Sequence, residues 1–219
     1  MRTDPDLSFE HRLWKGGLTH IAGLDEAGRG ALAGPVAVGV VILPNRVHLS
    51  KTLDGVRDSK QMTPLGRERL APRIRESALA WGVEFASPDE IDSLGIVAAT
   101  RLAALRSIAS LALTPSYLLT DFRLELPELD IPQTSLVKGD ARCLSIAAAS
   151  VLAKTVRDAL MVELDLQYPG YGLGKHKGYG TLFHRQAMQR LGYSSIHRKS
   201  FSIPEMKMNF IPASAAGLS

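Results

Sequence analysis

This 219-residue chain lacks several features that mark common classes of protein. It has a single cysteine, Cys143, which excludes an internal disulfide and a cysteine-rich zinc site, and we expect this residue to be a small buried side chain. No apolar run reaches the ~20 residues of a membrane-spanning helix. The polar N-terminal segment lacks the apolar core of a secretory signal. We therefore expect a cytoplasmic protein with no membrane partner.

The composition is that of an ordinary globular domain, without low-complexity segments or internal repeats. Hydrophobic residues make up 45% of the chain and charged residues 22%, so the chain can bury a sizeable core and is not expected to be disordered. The net charge of +4 is compatible with a polyanionic partner such as nucleic acid, but it does not establish one.

Apolar periodicity and the positions of proline and glycine predict a mixed α/β sheet covered by helices. The run "VAVGVVIL" is rich in β-branched residues and is typical of a central strand buried on both faces. The predicted strands are 20–25, 36–43, 81–87, 116–121 and a short one in "QTSLVKGD". The predicted helices are 63–80, a short one from residue 87, 95–113, 143–168 and 181–191.

Acidic residues follow three of these strands: the pair Asp25-Glu26, then Asp121, then Asp140. Neighbouring strand ends can converge, and gathered carboxylates must either protonate or bind cations. Oxygen ligands favour Mg²⁺ or Mn²⁺ over zinc, and two such ions suit phosphodiester hydrolysis. Taken singly, however, Asp25-Glu26 also fits a solvated strand end, Asp121 fits an ion pair with Arg123, and Asp140 fits a helix cap.

A set of motifs in a fixed order removes much of this ambiguity. They are "GLDEAGRGALAGPV", "DSK", "KGD", "SIAAASVLAKTVRD", "YPGYG" and "HKGYGT". Together they resemble the type 2 ribonuclease H family, ribonuclease HII, from about residue 21 to residue 201. The Gly-Arg-Gly sequence after the first acids, in place of Gly-Lys-Gly, points to ribonuclease HII and not to ribonuclease HIII.

The resemblance implies a ribonuclease H-like fold, with a five-stranded mixed sheet flanked by helices and a helical C-terminal region. We expect this catalytic domain to cover residues 18–205, with terminal extensions at 1–17 and 206–219. The implied activity is hydrolysis of RNA in RNA/DNA hybrids and nicking 5′ to ribonucleotides embedded in duplex DNA, as in DNA replication and ribonucleotide excision repair. The products would carry 5′-phosphate and 3′-hydroxyl ends.

The resemblance also assigns a catalytic and metal-binding set that would hold two Mg²⁺ or Mn²⁺ ions. Its members are the four acids Asp25, Glu26, Asp121 and Asp140. The family usually has glycine after the third acid, where this chain has Phe122, and often has proline where Ala31 stands. Because phenylalanine could crowd the cleft or shift the Asp121 carboxylate, its presence bears on efficiency, whereas we expect Ala31 to be benign.

Further motif positions are expected to contact the nucleic acid. The family places Gly28, Arg29 and Gly30 at the 2′-hydroxyl, since glycine lets the backbone approach the sugar closely. Tyr179 matches the family's junction-sensing tyrosine, whose ring would pack on a deoxyribose and exclude a 2′-hydroxyl. Taken alone, "AGRG" also fits a turn with a solvated arginine, and Tyr179 also fits a loop anchor.

Lysines in the motifs are candidates for phosphate contacts, although any one of them also fits a solvated side chain. They are Lys60, Lys138, Lys154, Lys175 and Lys177. His176 and His184 fit hydrogen-bonded loop residues better than contacts to phosphate or product.

Three hypotheses remain at this point: an active two-metal ribonuclease, a hybrid-binding protein whose catalysis Phe122 has damaged, and a related nuclease acting on another nucleic acid. We expect a monomer, and the C-terminal tail lacks a clear sliding-clamp motif.

Overall fold

The computed structural model describes residues 4–121 and 124–202, so Phe122 and Arg123 lie outside the described residues. Five strands form one sheet. They are β1 (Ile21–Ala27), β2 (Val36–Ile42), β3 (Ala80–Ala86), β4 (Tyr117–Asp121) and β5 (Gln133–Leu136). Their order across the sheet is β3-β2-β1-β4-β5. The first three strands pair antiparallel, whereas β4 pairs parallel with both β1 and β5. The expected five-stranded mixed sheet is therefore confirmed.

Eight α-helices surround the sheet in the described part of the chain. They are α1 (Ser8–Lys15), α2 (Leu49–Thr52), α3 (Pro64–Ser77), α4 (Pro88–Leu94), α5 (Ile96–Ala109), α6 (Leu144–Gln167), α7 (Leu173–His176) and α8 (Leu182–Leu191). None of them combines the length and the apolar character that crossing a bilayer would require.

Two glycines allow α6 to lie directly on the centre of the sheet. A Cβ on Gly23 would come within 2.3 Å of the Ser145 backbone, and a Cβ on Gly39 within 2.4 Å of the Ala149 carbonyl oxygen. Any larger side chain would push the helix away from β1 and β2. Because Gly23 and Gly39 have no side chain, α6 can lie close to β1, the strand that carries Asp25.

Apolar side chains fill both faces of the sheet. One core lies between α3, α6 and the sheet, and a second core lies between α5 and the opposite face. β2 is buried along its whole length, as its continuous apolar sequence predicts. Cys143 is fully buried, as expected.

Local capping explains where the main helices begin. The Thr63 side chain accepts a hydrogen bond from the Gly66 N–H, and Pro64 takes the first helical position of α3. Ser87 and Glu90 form a reciprocal capping box at the start of α4.

The predicted position of Asp140 at a strand end is wrong. β5 ends at Leu136, and Asp140 lies four residues later on a 3₁₀ turn, Gly139–Ala141. The preceding residue, Lys138, has a left-handed backbone (φ 55°), which turns the chain out of the sheet direction before the acid is reached. Asp140 does not cap α6 either, because the N-cap residue of that helix is Cys143.

Candidate active site

An open groove of about 440 Å³ lies at the edge of the sheet where β1 and β4 end. We call it the acid groove, because six of its lining residues are charged and four of these are acids. The four acids are Glu26, Asp58, Asp121 and Asp140, and the two cations are Lys60 and Lys138. Asp25 is almost completely buried, with an exposed fraction of 1%. The charge of Glu26 acts on Asp25, and the charge of Asp25 acts on Lys60. The four acids named from the sequence are thus brought to one region.

Asp25 is held by β1 and faces α6. Its register partner in β2 is Gly39, and the Ser150 hydroxyl on α6 hydrogen-bonds to its carboxyl group. The carboxyl Oδ2 atom is buried and has no hydrogen-bond partner. Burial, followed by the charge of Glu26, raises the pKa of Asp25 well above its ordinary value. An unpaired buried carboxyl oxygen is costly, so this atom is a candidate cation ligand.

Burial also raises the pKa of Glu26, and the negative charge of Asp121 adds to the shift. The opposing contact is with Arg29, whose Nη1 atom lies 3.7 Å from Glu26 Oε1. Asp140 has a pKa raised to about 6, first by burial and then by the charges of Asp58 and Asp121. The acids therefore raise one another's proton affinity, which is the expected result when carboxylates crowd together without enough positive charge.

Asp121 is oriented by the loop that carries Asp140. Its Oδ1 atom accepts a 2.7 Å hydrogen bond from the Gly139 N–H, one residue before Asp140. A Cβ on Gly139 would lie 2.7 Å from Ile146 Cδ1, so a larger residue would require the buried Ile146 side chain to shift. The parallel pairing of β4 with β1 and the turn after β5 together bring residues from three segments into the same groove.

Asp58 is a site residue that the sequence reasoning did not select, although the "DSK" motif contains it. Its Oδ1 atom accepts the Lys60 N–H at 2.9 Å, which fixes a 3₁₀ turn at Ser59–Gln61. That turn brings Lys60 Nζ to 4.0 Å from Asp140 Oδ2. Burial alone would lower the pKa of Lys60, but the surrounding carboxylates outweigh it and raise this pKa. Lys60 is therefore a counter-charge of the acids.

The donor chemistry of the acid groove suits a hard divalent cation, because its ligand candidates are carboxylate oxygens. Within residues 4–121 and 124–202, no group of three His, Cys, Asp or Glu side chains is already arranged to hold a metal ion. The reason is visible in the contacts: Glu26 turns to Arg29, Asp121 to the Gly139 amide, and Asp140 towards Lys60. The unpaired Asp25 Oδ2 and the raised pKa values show that these contacts leave the negative charge incompletely compensated, so the residues fit the cation.

The Gly28-Arg29-Gly30 loop follows β1 and is held by two buried arginines. Arg198 donates hydrogen bonds to the carbonyl oxygens of Gly28 and Arg29, both at 2.8 Å. Arg157, on α6, packs against Gly28 and donates to the carbonyl oxygens of Pro35 (2.8 Å), Lys177 (3.0 Å) and Ala33 (3.3 Å). Neither arginine was singled out from the sequence, although Arg157 lies in the quoted "SIAAASVLAKTVRD" motif.

A second groove, of about 470 Å³, contains the predicted junction tyrosine. We call it the tyrosine groove. Its lining includes Arg67, Lys154, Asp158, Lys175, His176, Lys177 and Tyr179. The Tyr179 ring centroid lies 5.9 Å from Lys154 Nζ and 5.7 Å from the Arg157 guanidinium carbon. The ring is thus flanked by cations, an arrangement suited to a polyanionic strand.

The candidate lysines are in different environments. Lys154 forms an ion pair with Asp158, which also accepts a 3.0 Å bond from Arg67. Lys177 folds back to donate to the Gly174 carbonyl oxygen, whereas Lys175 is exposed. Lys60 lines the acid groove, not the tyrosine groove.

Backbone hydrogen bonds join the glycine-arginine loop to the loop that carries Tyr179. The N–H groups of Leu32 and Ala33 both donate to the Gly178 carbonyl oxygen, at 2.8 and 3.2 Å. A Cβ on Gly178 would lie 2.2 Å from the Ala33 carbonyl oxygen, so this contact requires glycine. The structure therefore connects Tyr179 to the segment that begins at the acids.

Comparison with known proteins agrees with these features. The ribonuclease HII family model matches residues 22–203. The chain is 48% identical to a ribonuclease HII of Desulfitobacterium hafniense over 210 residues, covering 96% of this chain and 79% of that protein. Ribonuclease HII of Archaeoglobus fulgidus, solved in complex with PCNA, superposes with a TM-score of 0.72 at 26% identity, covering 86% of this chain and 98% of the other.

A more distant structure shares the fold. Bst-RNase HIII, solved in complex with Mn²⁺, superposes with a TM-score of 0.62 at 20% identity, covering 84% of this chain and 67% of the other. The family match covers most of the chain, the curated relative is similar over 96% of this chain, and the fold is the one expected from the motifs. The chain therefore belongs to the ribonuclease HII family, for which hydrolysis of RNA in RNA/DNA hybrids and nicking at embedded ribonucleotides are characteristic.

Proposed function

We propose that this chain performs these two reactions with Asp25, Glu26, Asp121 and Asp140 as the ligands of two divalent ions, Mg²⁺ or Mn²⁺. The single observation that carries the proposal is the gathering of these acids: Glu26, Asp121 and Asp140 line the acid groove, and Asp25, beside Glu26 in β1, has a buried, unpaired Oδ2 atom. Burial and mutual repulsion raise the pKa of Asp25, Glu26 and Asp140, so bound cations would relieve an unfavourable arrangement.

Divalent ions in such a site lower the pKa of a bound water and stabilise the leaving oxygen of a phosphodiester. The carboxylates would exchange their present contacts with Arg29, Lys60 and the Gly139 amide for the cations. The released Arg29 and Lys60 side chains would then be free to bind phosphate oxygens. The expected products are a 5′-phosphate and a 3′-hydroxyl, and no covalent protein intermediate is needed.

Recognition of the ribonucleotide is assigned to the Gly28-Arg29-Gly30 loop. The space where a Gly30 Cβ would point is open, with no atom within 4 Å, so a sugar could approach this backbone closely. Arg29 Nη1 is buried without a hydrogen-bond partner, and a phosphate or sugar oxygen would satisfy it. Both features support a contact at the 2′-hydroxyl.

The tyrosine groove is assigned to the flanking DNA. The Tyr179 ring would stack on the deoxyribose at the 3′ side of the cleavage position, while Lys154, Lys175 and Lys177 would contact phosphates. We expect the enzyme to act as a cytoplasmic monomer. The PCNA complex is a property of the Archaeoglobus fulgidus protein, and residues 203–219 of this chain, where a clamp motif was not found, lie outside the described residues.

The decisive experiment uses a labelled DNA duplex with one embedded ribonucleotide, incubated with the protein and Mg²⁺ or Mn²⁺. We expect a nick on the 5′ side of the ribonucleotide that is lost, by at least about a hundredfold, in Asp25→Asn. Glu163→Gln is the matched control, because Glu163 is an exposed carboxylate of α6 that lines neither groove.

The other outcomes identify the competing hypotheses. Binding of the duplex without any cut would support a hybrid-binding protein with damaged catalysis. Equal cutting of an all-DNA duplex would support a related nuclease with another substrate. Retained activity in Asp25→Asn would contradict the assigned metal ligands.

A further inference from the structure

Two histidines lie buried against the loop that carries Tyr179. His184 is in the first turn of α8, and His197 lies in the segment that follows this helix. Their exposed fractions are 0% and 1%, and their Nε2 atoms are 3.2 Å apart. A contact between two imidazole nitrogens is a hydrogen bond only if one nitrogen carries a proton and the other does not.

The outer contacts of the pair determine which nitrogens carry the protons. His197 Nδ1 lies 2.8 Å from the Ser194 hydroxyl, which can donate or accept, and 3.1 Å from the Ser194 backbone nitrogen, whose N–H can only donate, so this ring nitrogen is an acceptor. The proton of neutral His197 is therefore on Nε2 and is donated to His184 Nε2. The proton of His184 is consequently on Nδ1, which lies 3.1 Å from the Tyr179 carbonyl oxygen. Every nitrogen of the pair then has a matched partner.

Burial keeps this arrangement neutral. It lowers the pKa of His184 to about 4, together with the charge of His176, whose ring stacks on His184 at 4.3 Å. Burial also lowers the pKa of His197. A charged imidazole would carry protons on both nitrogens, and the two Nε2–H groups would then oppose each other.

The pair completes the backbone hydrogen bonding of Tyr179. The Tyr179 N–H donates to the His176 carbonyl oxygen at 3.0 Å, and the Tyr179 carbonyl oxygen accepts the Thr181 N–H at 2.8 Å as well as His184 Nδ1. Since the ring itself projects into the tyrosine groove, its direction is set by the backbone to which it is attached.

We propose that His184 and His197 are positioning residues for Tyr179, and that a directed hydrogen-bond chain from Ser194 through His197 and His184 to the Tyr179 carbonyl sets the selectivity for ribonucleotide–DNA junctions. The proposal rests on the junction role assigned to Tyr179. It adds that the selectivity depends on a proton at one specified atom, His184 Nδ1.

Two substitutions of His197 separate this role from a general loss of packing. In His197→Gln the side-chain amide reaches the position of Nε2 and can still donate to His184. In His197→Asn the shorter amide reaches only the position of Nδ1, so the bond to His184 is lost. Both changes replace the imidazole with a neutral amide, and thermal melting of each variant provides the check on folding.

We expect His197→Asn to lower kcat/KM on a duplex with a single ribonucleotide about fivefold to tenfold, the effect of one hydrogen bond, with less than a twofold change on a long hybrid. His197→Gln should retain most of the selectivity. In a Tyr179→Ala background, His197→Asn should cause no further change in the ratio of the two activities. Equal losses on both substrates in His197→Asn and His197→Gln would overturn the proposal.

A measurement without substrate tests the hydrogen-bond chain independently of the function of Tyr179. ¹⁵N NMR of the imidazoles in the wild-type protein should show His184 protonated at Nδ1 and His197 protonated at Nε2 near neutral pH. An Nε2-protonated or charged His184 would overturn the hydrogen-bond chain, whatever Tyr179 does. If the tautomers are as expected but Tyr179→Ala lowers activity on both substrates equally, the junction role of Tyr179 fails. The proposed link between the hydrogen-bond chain and substrate selectivity then fails with it.

Discussion

The backbone of Gly28 lies directly against the side chain of Arg157. Gly28 has a positive φ of 85°, and a Cβ placed on it would come within 1.8 Å of Arg157 Nε. Gly30, two residues later, has neither restriction, because its Cβ position faces open space. The two glycines of the same motif are therefore required for different reasons: Gly28 for the fold of the loop and Gly30 for access to it.

This difference predicts separate effects of two alanine substitutions. Gly28→Ala should destabilise the protein by about 1–3 kcal/mol, because the loop must strain or Arg157 must leave its carbonyl partners. Gly30→Ala should change stability by less than about 0.5 kcal/mol but lower activity on a single embedded ribonucleotide at least about tenfold. Urea unfolding and nicking kinetics measure the two effects. A stable but inactive Gly28→Ala, or an active Gly30→Ala, would contradict the assignment.

Replacing the tyrosine should change substrate preference. Tyr179→Ala removes the ring that is proposed to exclude a 2′-hydroxyl, so activity on single embedded ribonucleotides should fall more than activity on long hybrids. Base or sugar stacking on an aromatic ring contributes about 1–3 kcal/mol. The ratio of activity on single ribonucleotides to activity on long hybrids should therefore fall roughly fivefold or more. Tyr168→Ala is the control, because Tyr168 lies outside the linings of both grooves. Equal losses on both substrates would remove the proposed role.

The lysines of the tyrosine groove should differ in their contribution to binding. Exposed Lys175 is available for a phosphate, so Lys175→Ala should weaken binding of every hybrid sequence and reduce the slope of log affinity against log salt by about 1. Lys15→Ala, on α1, serves as the exposed control. Hybrid binding measured at several salt concentrations, without divalent ions, gives the slopes. An unchanged slope in Lys175→Ala would exclude a phosphate contact there.

The buried histidine should also make stability depend on pH. Burial holds the pKa of His184 near 4 in the folded chain, against about 6.5 when the chain is unfolded. Between these values the unfolded state binds more protons, so the contribution of His184 to the free energy of unfolding falls as the pH is lowered through this window. The groups facing it are His176, His197 and the Tyr179 carbonyl oxygen.

The measurement compares wild type with His184→Phe between pH 7 and pH 4. The acids of the groove have raised pKa values and act in the opposite direction, so only the difference between the two proteins isolates His184. We expect the wild type to lose more stability than the variant over this range. If the free energies of unfolding of the two proteins changed in parallel with pH, the pKa of His184 in the folded protein would not be lowered.

Much of the sheet was predictable from local sequence patterns. β-branched residues, caps and prolines are local signals, and they gave β2, the start of α3 and the start of α4 close to their observed positions. β1 continues beyond the expected end at Asp25 to Ala27, because Glu26 and Ala27 remain paired with β2. That pairing is a tertiary effect that the short apolar run does not contain.

The features missed from the sequence depend on contacts between distant segments. Helix α1 is anchored by Glu10, whose carboxylate accepts the Ser145 N–H at 2.8 Å, 135 positions away. The three- and four-residue helical turns are too short for a periodic signal. Asp140 was placed in the site by family resemblance, but the turn that carries it depends on the left-handed Lys138. The hydrogen-bond chain through His197 and His184 likewise has no sequence spacing that would indicate it.

The central claim is that Asp25, Glu26, Asp121 and Asp140 together hold divalent cations, and calorimetric titration of Mn²⁺ into the substrate-free protein tests it most directly. We expect the wild type to bind Mn²⁺ with release of protons, Asp121→Asn to bind at least about tenfold more weakly, and Glu163→Gln to bind as the wild type does. Equal Mn²⁺ affinity in wild type and Asp121→Asn would contradict the account.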